Sequence, residues 1–463
     1  MPKPTDISVK EVLVEFKDHP YRCPIKFGGK TGTHSTDLHT VVAVETRSGK
    51  TADGYGAMPM GTAWSFPADE VDDGRKLELM KELARRISQM LPDVLAGQPV
   101  HPIDLAHVFE PELFDTAREL GEENGLPVPV PRMFALVAAS AFDAAVHDAF
   151  GKANGINVYQ GYGPEFMTHD LAKYLDDDFV GEYPDIYTRR DPTPRMPLYH
   201  LVGAVDPLTD SDIEEPVGDG LPETLAEWID ADGLTHLKIK LNGDDLAWDV
   251  NRVMAVNRVA EAADAGRPWH YSLDFNERCE TVEYLLEFIA QLGEQAPAAL
   301  DRVQYIEQPT RRDLEADRDN EMHAAAKLKP VVIDEALLDY DTLLLAESMG
   351  YSGVALKACK GQSQSVVLAA AAQHRGLFLC VQDLTCTDAA YLHSVGLAAH
   401  IPTVAAVEGN GRQYCPAANR GWDELVPGAF NVEDGTIRTA ELTGPGLGCV
   451  PPGRERDILT KGL

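Results

Sequence analysis

From Pro197 onward, short apolar runs alternate with longer segments in which apolar residues recur with helical periodicity. The short runs are typical of buried strands, and the longer segments are typical of amphipathic helices. The predicted strands span residues 197–202, 235–241, 270–275, 303–306, 330–333, 353–356, 377–381 and 404–407. Strands joined by helices indicate parallel pairing with right-handed connections. Eight such units predict an α/β fold of the (β/α)₈ barrel type. An open doubly wound sheet is the alternative, although no glycine-rich dinucleotide turn follows the first strand.

The first 130 residues have a different pattern, which predicts an α+β unit. Alternating apolar and polar positions predict strands at residues 6–16, 39–47 and 51–57. Helical periodicity predicts helices at residues 69–97, 111–121 and 133–154.

Two further segments are rich in glycine or in charge. Residues 22–33 predict a mobile polar loop near a site. A phosphate-binding loop would need a glycine where Pro24 stands, and a strand directly before it. Residues 163–195 contain three consecutive aspartates, Asp176 to Asp178, and predict an excursion with a solvated acidic face.

Composition narrows the class of partner. The formal net charge of −33 argues against nucleic acid and against anionic membranes, both of which need a basic surface. No apolar run is long enough to span a membrane, and the N-terminal residues have no apolar signal segment. The seven cysteines are scattered without zinc-ligand spacing, which predicts reduced thiols. We therefore expect a cytoplasmic protein, and as a separate expectation a homo-oligomer.

Seven of the predicted strands lead into an ionisable residue, one for each strand–helix unit. These residues are Lys240, Asp274, Glu307, Asp334, Lys357, Asp383 and Glu408. In a barrel they would gather at the carboxyl ends of the strands, where such barrels carry their sites. Asp274, Glu307 and Asp334 come from three successive strands and form a hard oxygen ligand set suited to Mg²⁺, with Mn²⁺ as a second choice. The structural alternative is a buried network of ion pairs with the lysines.

Two lysines of one strand, Lys238 and Lys240, point to the same face and need anionic neighbours if they are buried. Lys240 and Lys357 lie on either side of the three acids. A lysine close to a cation and a second ammonium group has a lowered pKa and can act as a general base. We therefore predict proton abstraction next to a substrate carboxylate by Lys240, with Lys357 opposite. Lys238 would hold the substrate carboxylate, and together with the metal it would stabilise the enediolate that forms.

These motifs resemble the enolase superfamily in their order and spacing. The resemblance rests on residues 54–57, residues 138–155, Lys238-Ile-Lys240, Asp274-Phe-Asn276, Glu307-Gln-Pro309, Asp334-Glu335 and Lys357. It implies a modified barrel at residues 131–414, and a capping domain built from residues 1–130 and a C-terminal segment at residues 415–463. It also implies Mg²⁺, a small carboxylate substrate and an enolate intermediate.

Within the superfamily, the lysine pair is similar to the muconate lactonizing enzyme subgroup, which includes cycloisomerases, o-succinylbenzoate synthases and epimerases. The mandelate racemase and sugar-acid dehydratase subgroup has a histidine after the seventh strand, where residues 381–385 contain none. Ala336 stands where serine is usual. Glu408-Gly-Asn410 replaces the paired aspartates that hold an ammonium group in dipeptide epimerases.

The sequence therefore predicts an isomerase or lyase that catalyses epimerisation, racemisation or cycloisomerisation through a two-lysine pair. Asn276, Glu335, Asp383 and Glu408 are candidate substrate-binding or auxiliary residues. One alternative is an acid-sugar dehydratase in which Asp383 assists departure of a hydroxyl group. An alternative of another class is a barrel that binds a carboxylate without catalysis.

Overall fold

The computed structural model describes residues 2–27 and 30–463. The chain begins with an antiparallel sheet of three strands, β1 (Ile7–Phe27), β2 (Lys30–Thr46) and β3 (Thr51–Pro59), in that order. The predicted loop at residues 22–33 is wrong for its described residues, because they belong to the long ends of β1 and β2. The register shifts between Pro20 and Ile25, and this irregularity accommodates two prolines within the hairpin. Gly28 and Gly29 lie outside the described residues.

Four helices follow the sheet: α1 (Thr62–Ser65), α2 (Asp73–Met90), α3 (Pro102–Glu123) and α4 (Arg132–Asn154). α2 is shorter than predicted because the chain turns into a 3₁₀ segment at Leu91–Gly97, with proline near its start. α4 packs closely on β3. A Cβ atom at Gly56 would lie 1.9 Å from the carbonyl oxygen of Ala141. Among the described helices only α4 is long and apolar enough to span a membrane, and most of it is buried inside the protein.

Eight parallel strands form a second sheet, separate from the N-terminal one. They are β4 (Arg195–Val202), β5 (His236–Lys240), β6 (His270–Asp274), β7 (Val303–Glu307), β8 (Val331–Ile333), β9 (Gly353–Lys357), β10 (Phe378–Gln382) and β11 (Val404–Glu408). Each strand pairs with the next, and β11 also pairs with β4, so the sheet closes. The predicted barrel is confirmed, and the doubly wound alternative is wrong. The interior of the barrel contains Tyr199, Tyr305, Val332, Ala355, Cys380 and Ala406.

Helices surround the barrel. They are α5 (Leu225–Asp232), α6 (Leu246–Asp264), α7 (Val282–Gln295), α8 (Pro297–Arg302), α9 (His323–Ala326), α10 (Tyr340–Ser348), α11 (Gln362–His374) and α12 (Asp388–His400). The acidic excursion forms short 3₁₀ turns, including Asp177–Phe179. Asp177 and Asp178 are exposed, whereas Phe179 is buried with its ring 4.5 Å from the ring of His374. The excursion is therefore solvated on one side and anchored to α11 on the other.

The remaining chain contains α13 (Gly411–Tyr414), α14 (Trp422–Leu425), α15 (Pro427–Phe430), β12 (Thr436–Arg438) and α16 (Glu455–Lys461). β12 pairs antiparallel with β4. α16 forms one ion pair with α4, and its Arg456 pairs with Asp53 and Glu11 of the cap sheet. Glu455 lies 2.7 Å from Nζ of Lys152 on α4, and Arg456 lies 2.6 Å from Asp53 on β3. We therefore propose that residues 415–463 complete a capping domain with residues 1–130, around a barrel at residues 131–414.

Candidate active site

The ionisable residues at the strand ends gather at one face of the barrel. Lys240 pairs in register with Asp274, and Asp274 pairs with Glu307 on the next strand. Lys357 and Glu408 are the last residues of β9 and β11. Asp334 follows β8, and Asp383 follows β10. All seven are buried, at 7% exposure or less.

Lys238 lies one pleat deeper, and carboxylates surround its ammonium group. Its Nζ atom lies 2.9 Å from Glu307, 3.0 Å from Glu408 and 3.3 Å from Asp274. Burial alone would lower the pKa of Lys238, but the charges of Glu307, Glu408 and Asp274 outweigh it, so the pKa lies well above its usual value. Lys238 is therefore protonated, and its three N–H bonds face carboxylates of the protein.

Lys240 lies at the edge of the same network and borders a cavity. Its ammonium group donates to Oδ2 of Asp274. The cavity is also lined by Lys26 of the cap hairpin and by Asn276 and Arg278 after β6. A substrate entering between the cap hairpin and the strand ends would meet Lys240 directly. Asp244 also lines the cavity and pairs with Arg278, so Lys26 and Lys240 are the positive side chains that suit an anionic molecule.

Glu307 lies between the other two acids of the predicted triad. Burial and the negative charge of Asp274 raise the pKa of Glu307 to about 8, although Lys238 opposes the rise. Burial also raises the pKa of Asp274, but Lys240 and Lys238 outweigh it, so that pKa lies below its usual value. Such crowding of carboxylates favours either a proton or a cation among them.

On the opposite side, Lys357 contacts Asp334 with Nζ 2.8 Å from Oδ2. The ammonium group also lies 4.6 Å from the ring centroid of Trp64, on α1 of the cap. A second lysine, Lys360, donates to the main-chain oxygen of Asp334 at 2.5 Å and lies 3.3 Å from its Oδ1 atom. Burial opposes the charged form of Lys357, but Asp334 outweighs it and raises the pKa of Lys357.

The four auxiliary candidates lie around this centre. The main-chain N–H of Asn276 donates to Oδ1 of Asp274 at 2.8 Å, and the residue has a positive φ of 47°. Glu335 accepts a 3.0 Å hydrogen bond from the indole N–H of Trp64. Asp383 accepts hydrogen bonds from main-chain N–H groups, and burial together with the charge of Glu408 raises its pKa to about 8. Glu408 accepts hydrogen bonds from the ammonium group of Lys238 at 3.0 Å and from the side-chain amide of Asn410 at 3.1 Å.

The buried charges at this face do not balance. Six carboxyl groups face four ammonium groups, and the ten residues are Asp274, Glu307, Asp334, Glu335, Asp383, Glu408, Lys238, Lys240, Lys357 and Lys360. Two negative charges are left when all ten are ionised. Two protons on the acids can offset them, in line with the raised pKa values of Glu307 and Asp383, and one divalent cation could take the place of those protons. The convergent donors are oxygen atoms, which suit Mg²⁺ or Mn²⁺. Asp274, Glu307 and Asp334 could hold such an ion.

Comparison with known proteins agrees with the family resemblance seen in the sequence. A family profile described as enolase C-terminal domain-like matches residues 220–455, slightly more than half of the chain. The chain belongs to the enolase superfamily. It is an enzyme of that class, which includes racemases, epimerases and cycloisomerases. A search of curated proteins finds no match.

Solved structures of superfamily members resemble this chain over nearly its whole length. An enolase from Bradyrhizobium in complex with magnesium and mandelic acid is 16% identical, with a TM-score of 0.60 over 98% of each chain. A dipeptide epimerase from Enterococcus faecalis, with magnesium and the dipeptide L-Leu-L-Tyr, is 16% identical, with a TM-score of 0.60 over 95% of this chain and 99% of its own. Muconate lactonizing enzyme from Pseudomonas fluorescens is 16% identical, with a TM-score of 0.60 over 98% of this chain and 99% of its own. These likenesses show the fold.

Some residues of the candidate active site were not identified from the sequence. Trp64 comes from the cap, 271 positions before its partner Glu335, so no local pattern signals it. Gln382 donates to Glu307, and as a neutral residue directly after the predicted strand at 377–381 it was not singled out. Lys360 follows Lys357 by one helical turn within a 3₁₀ segment, and this spacing could have identified it.

Proposed function

We propose that the protein is a Mg²⁺-dependent enzyme that removes the α-proton of a carboxylate substrate, giving epimerisation, racemisation or cycloisomerisation. One observation carries the proposal. Lys240 ends β5 and Lys357 ends β9, which are four strands apart in a closed ring of eight. The two lysines therefore approach the centre from opposite sides. The strands that end near Asp274, Glu307 and Asp334 lie between them.

The acidic triad is the proposed cation site. Asp274, Glu307 and Asp334 would hold Mg²⁺, or Mn²⁺ as the second choice, and the imbalance of buried charge at this face supports a divalent ion. When bound, the ion would supply positive charge beside the substrate carboxylate, which favours the enediolate form of the substrate. The Bradyrhizobium and Enterococcus proteins named above were both solved with magnesium, which also supports this choice.

Lys240 is the proposed base. Because Lys240 borders the cavity, it can take the α-proton from one face of the substrate. Lys357 would hold a proton on the opposite face, where Asp334 and the ring of Trp64 favour its charged form. Return of a proton from Lys357 inverts the α-carbon. In a cycloisomerisation one lysine acts on the proton, and the other remains a cation.

We propose a different role for Lys238 from the one expected from the sequence. Carboxylates of the protein occupy its ammonium group, so it does not hold the substrate carboxylate. Instead, its ammonium group holds the side chains of Glu307, Glu408 and Asp274 together. Asn276, Glu335 and Asp383 remain the proposed substrate-binding or auxiliary residues.

The engagement of Glu408 also bears on the substrate class. An ammonium group on the substrate would compete for Glu408 with Lys238 and Asn410, which already contact it. We therefore propose a small carboxylate other than a dipeptide. We also propose that the protein is a cytoplasmic homo-oligomer that binds neither nucleic acid nor membranes, in line with its net charge of −33.

Exchange of the substrate α-proton in D₂O tests the proposal. The protein is incubated with a panel of 2-substituted carboxylates, muconates and polyhydroxy acids, in Mg²⁺ and in EDTA, and deuterium uptake is followed by ¹H NMR. We expect Mg²⁺-dependent exchange or cyclisation of at least one non-dipeptide acid. Release of water from a polyhydroxy acid would support the dehydratase instead. Binding without exchange or turnover anywhere in the panel would contradict both enzymatic proposals.

A further inference from the structure

A second group of metal-ligand side chains lies outside the barrel mouth, between the cap sheet and α12. His19 is on β1, Asp37 and His39 are on β2, and Asp388 is the first residue of α12. One ligand atom from each of the four lies within 4.8 Å of the other three. We propose that these residues bind one divalent transition-metal ion, with Zn²⁺ as the best fit, at a site separate from the candidate active site.

Two ring nitrogens in this group have no other use in the described part of the chain. His39 is fully buried, and its Nε2 atom has no hydrogen-bond partner among the described residues. The same holds for Nε2 of His19. The nearest acids are slightly too far away for hydrogen bonds, at 3.6 Å from His39 to Asp388 and 3.8 Å from His19 to Asp37. A buried polar atom that no protein group satisfies points to a ligand that the side chains surround.

The outer contacts of the group also match those of metal ligands. With its proton on Nδ1, His39 donates to the hydroxyl of Tyr55 at 2.7 Å, which leaves the lone pair on Nε2. Asp37 accepts hydrogen bonds from Ser35 at 2.6 Å and from Thr387 at 2.9 Å. Ligating histidines and carboxylates are commonly oriented in this way by a second layer of hydrogen bonds.

The ligand types indicate the class of metal. Two imidazoles and two carboxylates form a four-ligand set that suits Zn²⁺ better than Mg²⁺, which favours oxygen ligands. Zinc bonds of about 2.0–2.2 Å place neighbouring donors of a tetrahedron about 3.3 Å apart. The 3.6 Å and 3.8 Å separations are close to this distance, whereas separations in the group that reach 4.8 Å would need to shorten by about 1.5 Å when the ion binds. Asp37 and Asp388 are both buried, at 1% and 3% exposure, so a cation between them would offset two buried negative charges.

The position of the group predicts a structural role for the bound ion. Three ligands come from the cap hairpin, and the fourth begins α12, five residues after Asp383 at the barrel mouth. A bound ion would therefore join the hairpin to the loop that follows β10. None of the four ligands belongs to the candidate active site, so the two metal sites can be examined separately.

Cobalt binding tests this inference. The full-length protein is stripped with EDTA, supplied with excess Mg²⁺ to fill the oxygen-rich barrel site, and titrated with Co²⁺ while visible absorption is recorded. We expect one equivalent of Co²⁺ with the strong bands of a four-coordinate site, and displacement of the bands by Zn²⁺. A six-coordinate oxygen site would give only weak bands.

His19→Gln is the main variant because the His19 side chain is 21% exposed, and its loss is least disruptive to folding. His34→Gln is the matched control, since His34 is exposed on the same hairpin, opposite Pro20. We expect His34→Gln to bind Co²⁺ like the parent protein and His19→Gln to bind it at least about 100-fold more weakly. Asp388→Asn gives the same test if His19→Gln does not fold. An unchanged Co²⁺ spectrum in a folded ligand variant, or no four-coordinate spectrum in the parent, would overturn the proposal.

Discussion

Replacing Lys238 with methionine would remove one positive charge from the centre of a buried acidic cluster. Methionine is also long and unbranched, so it keeps much of the packing. Three carboxylates, each at 3% side-chain exposure or less, would lose an ammonium group that lies 2.9–3.3 Å away. Breaking a buried pair in this way costs about 3–5 kcal/mol. For a chain of 463 residues, an unfolding entropy of about 2.1 cal/mol/K per residue converts this loss into a fall in Tm of about 3–5 °C.

Urea unfolding followed by circular dichroism measures the loss, with Lys10→Met as the control. Lys10 forms a 3.1 Å ion pair with Glu45 in which both side chains are almost half exposed, so its replacement should cost less than about 1 kcal/mol. Excess Mg²⁺ should recover part of the stability lost in Lys238→Met, because a cation among the same acids replaces the missing charge. If Lys238 held the substrate instead, KM would rise while the unfolding midpoint stayed within error of the parent protein, and the proposed role would be refuted.

Three further predictions concern other parts of the molecule. Trp64→Leu should lower kcat/KM about 2- to 30-fold, because it removes a cation–π contact with Lys357 worth about 0.5–2 kcal/mol. A kcat/KM equal to that of the parent protein would contradict a role for this contact. Gly56→Ala should destabilise the protein by about 3 kcal/mol in urea unfolding because its Cβ would overlap Ala141, whereas the exposed Gly266→Ala should be neutral. Cys23 is the one described cysteine that is not buried, and burial followed by the charge of Asp206 raises its pKa to about 11. Its reaction with a thiol reagent in the native protein should therefore speed up about tenfold per pH unit between pH 7 and 10, and fast reaction of a second thiol would contradict the burial pattern.

The barrel could be predicted from the sequence because its strands are short apolar runs between helices. The predicted strand at residues 270–275, for example, is observed at His270–Asp274. Parallel strands that are covered on both faces read as continuous apolar segments, so their ends are well marked. The ionisable residues that follow them could be identified for the same reason.

The rest of the site depends on contacts between distant parts of the chain. The described residues among positions 22–33 include Pro24 and Gly32, and only their place in the cap sheet makes this part of the chain strand. Trp64 and the metal-ligand group around His39 acquire their neighbours through packing of the cap on the barrel. Neither arrangement has a spacing that can be recognised along the sequence.

The central claim is that Lys240 and Lys357 act on opposite faces of one α-carbon. The most direct measurement is deuterium exchange at that carbon, with each enantiomer of an active substrate, in Lys240→Ala and Lys357→Ala. We predict that each variant loses exchange by at least about 100-fold with one enantiomer and retains part of it with the other, with opposite preferences. Equal loss with both enantiomers in both variants, or exchange that survives both substitutions, would contradict the two-base site.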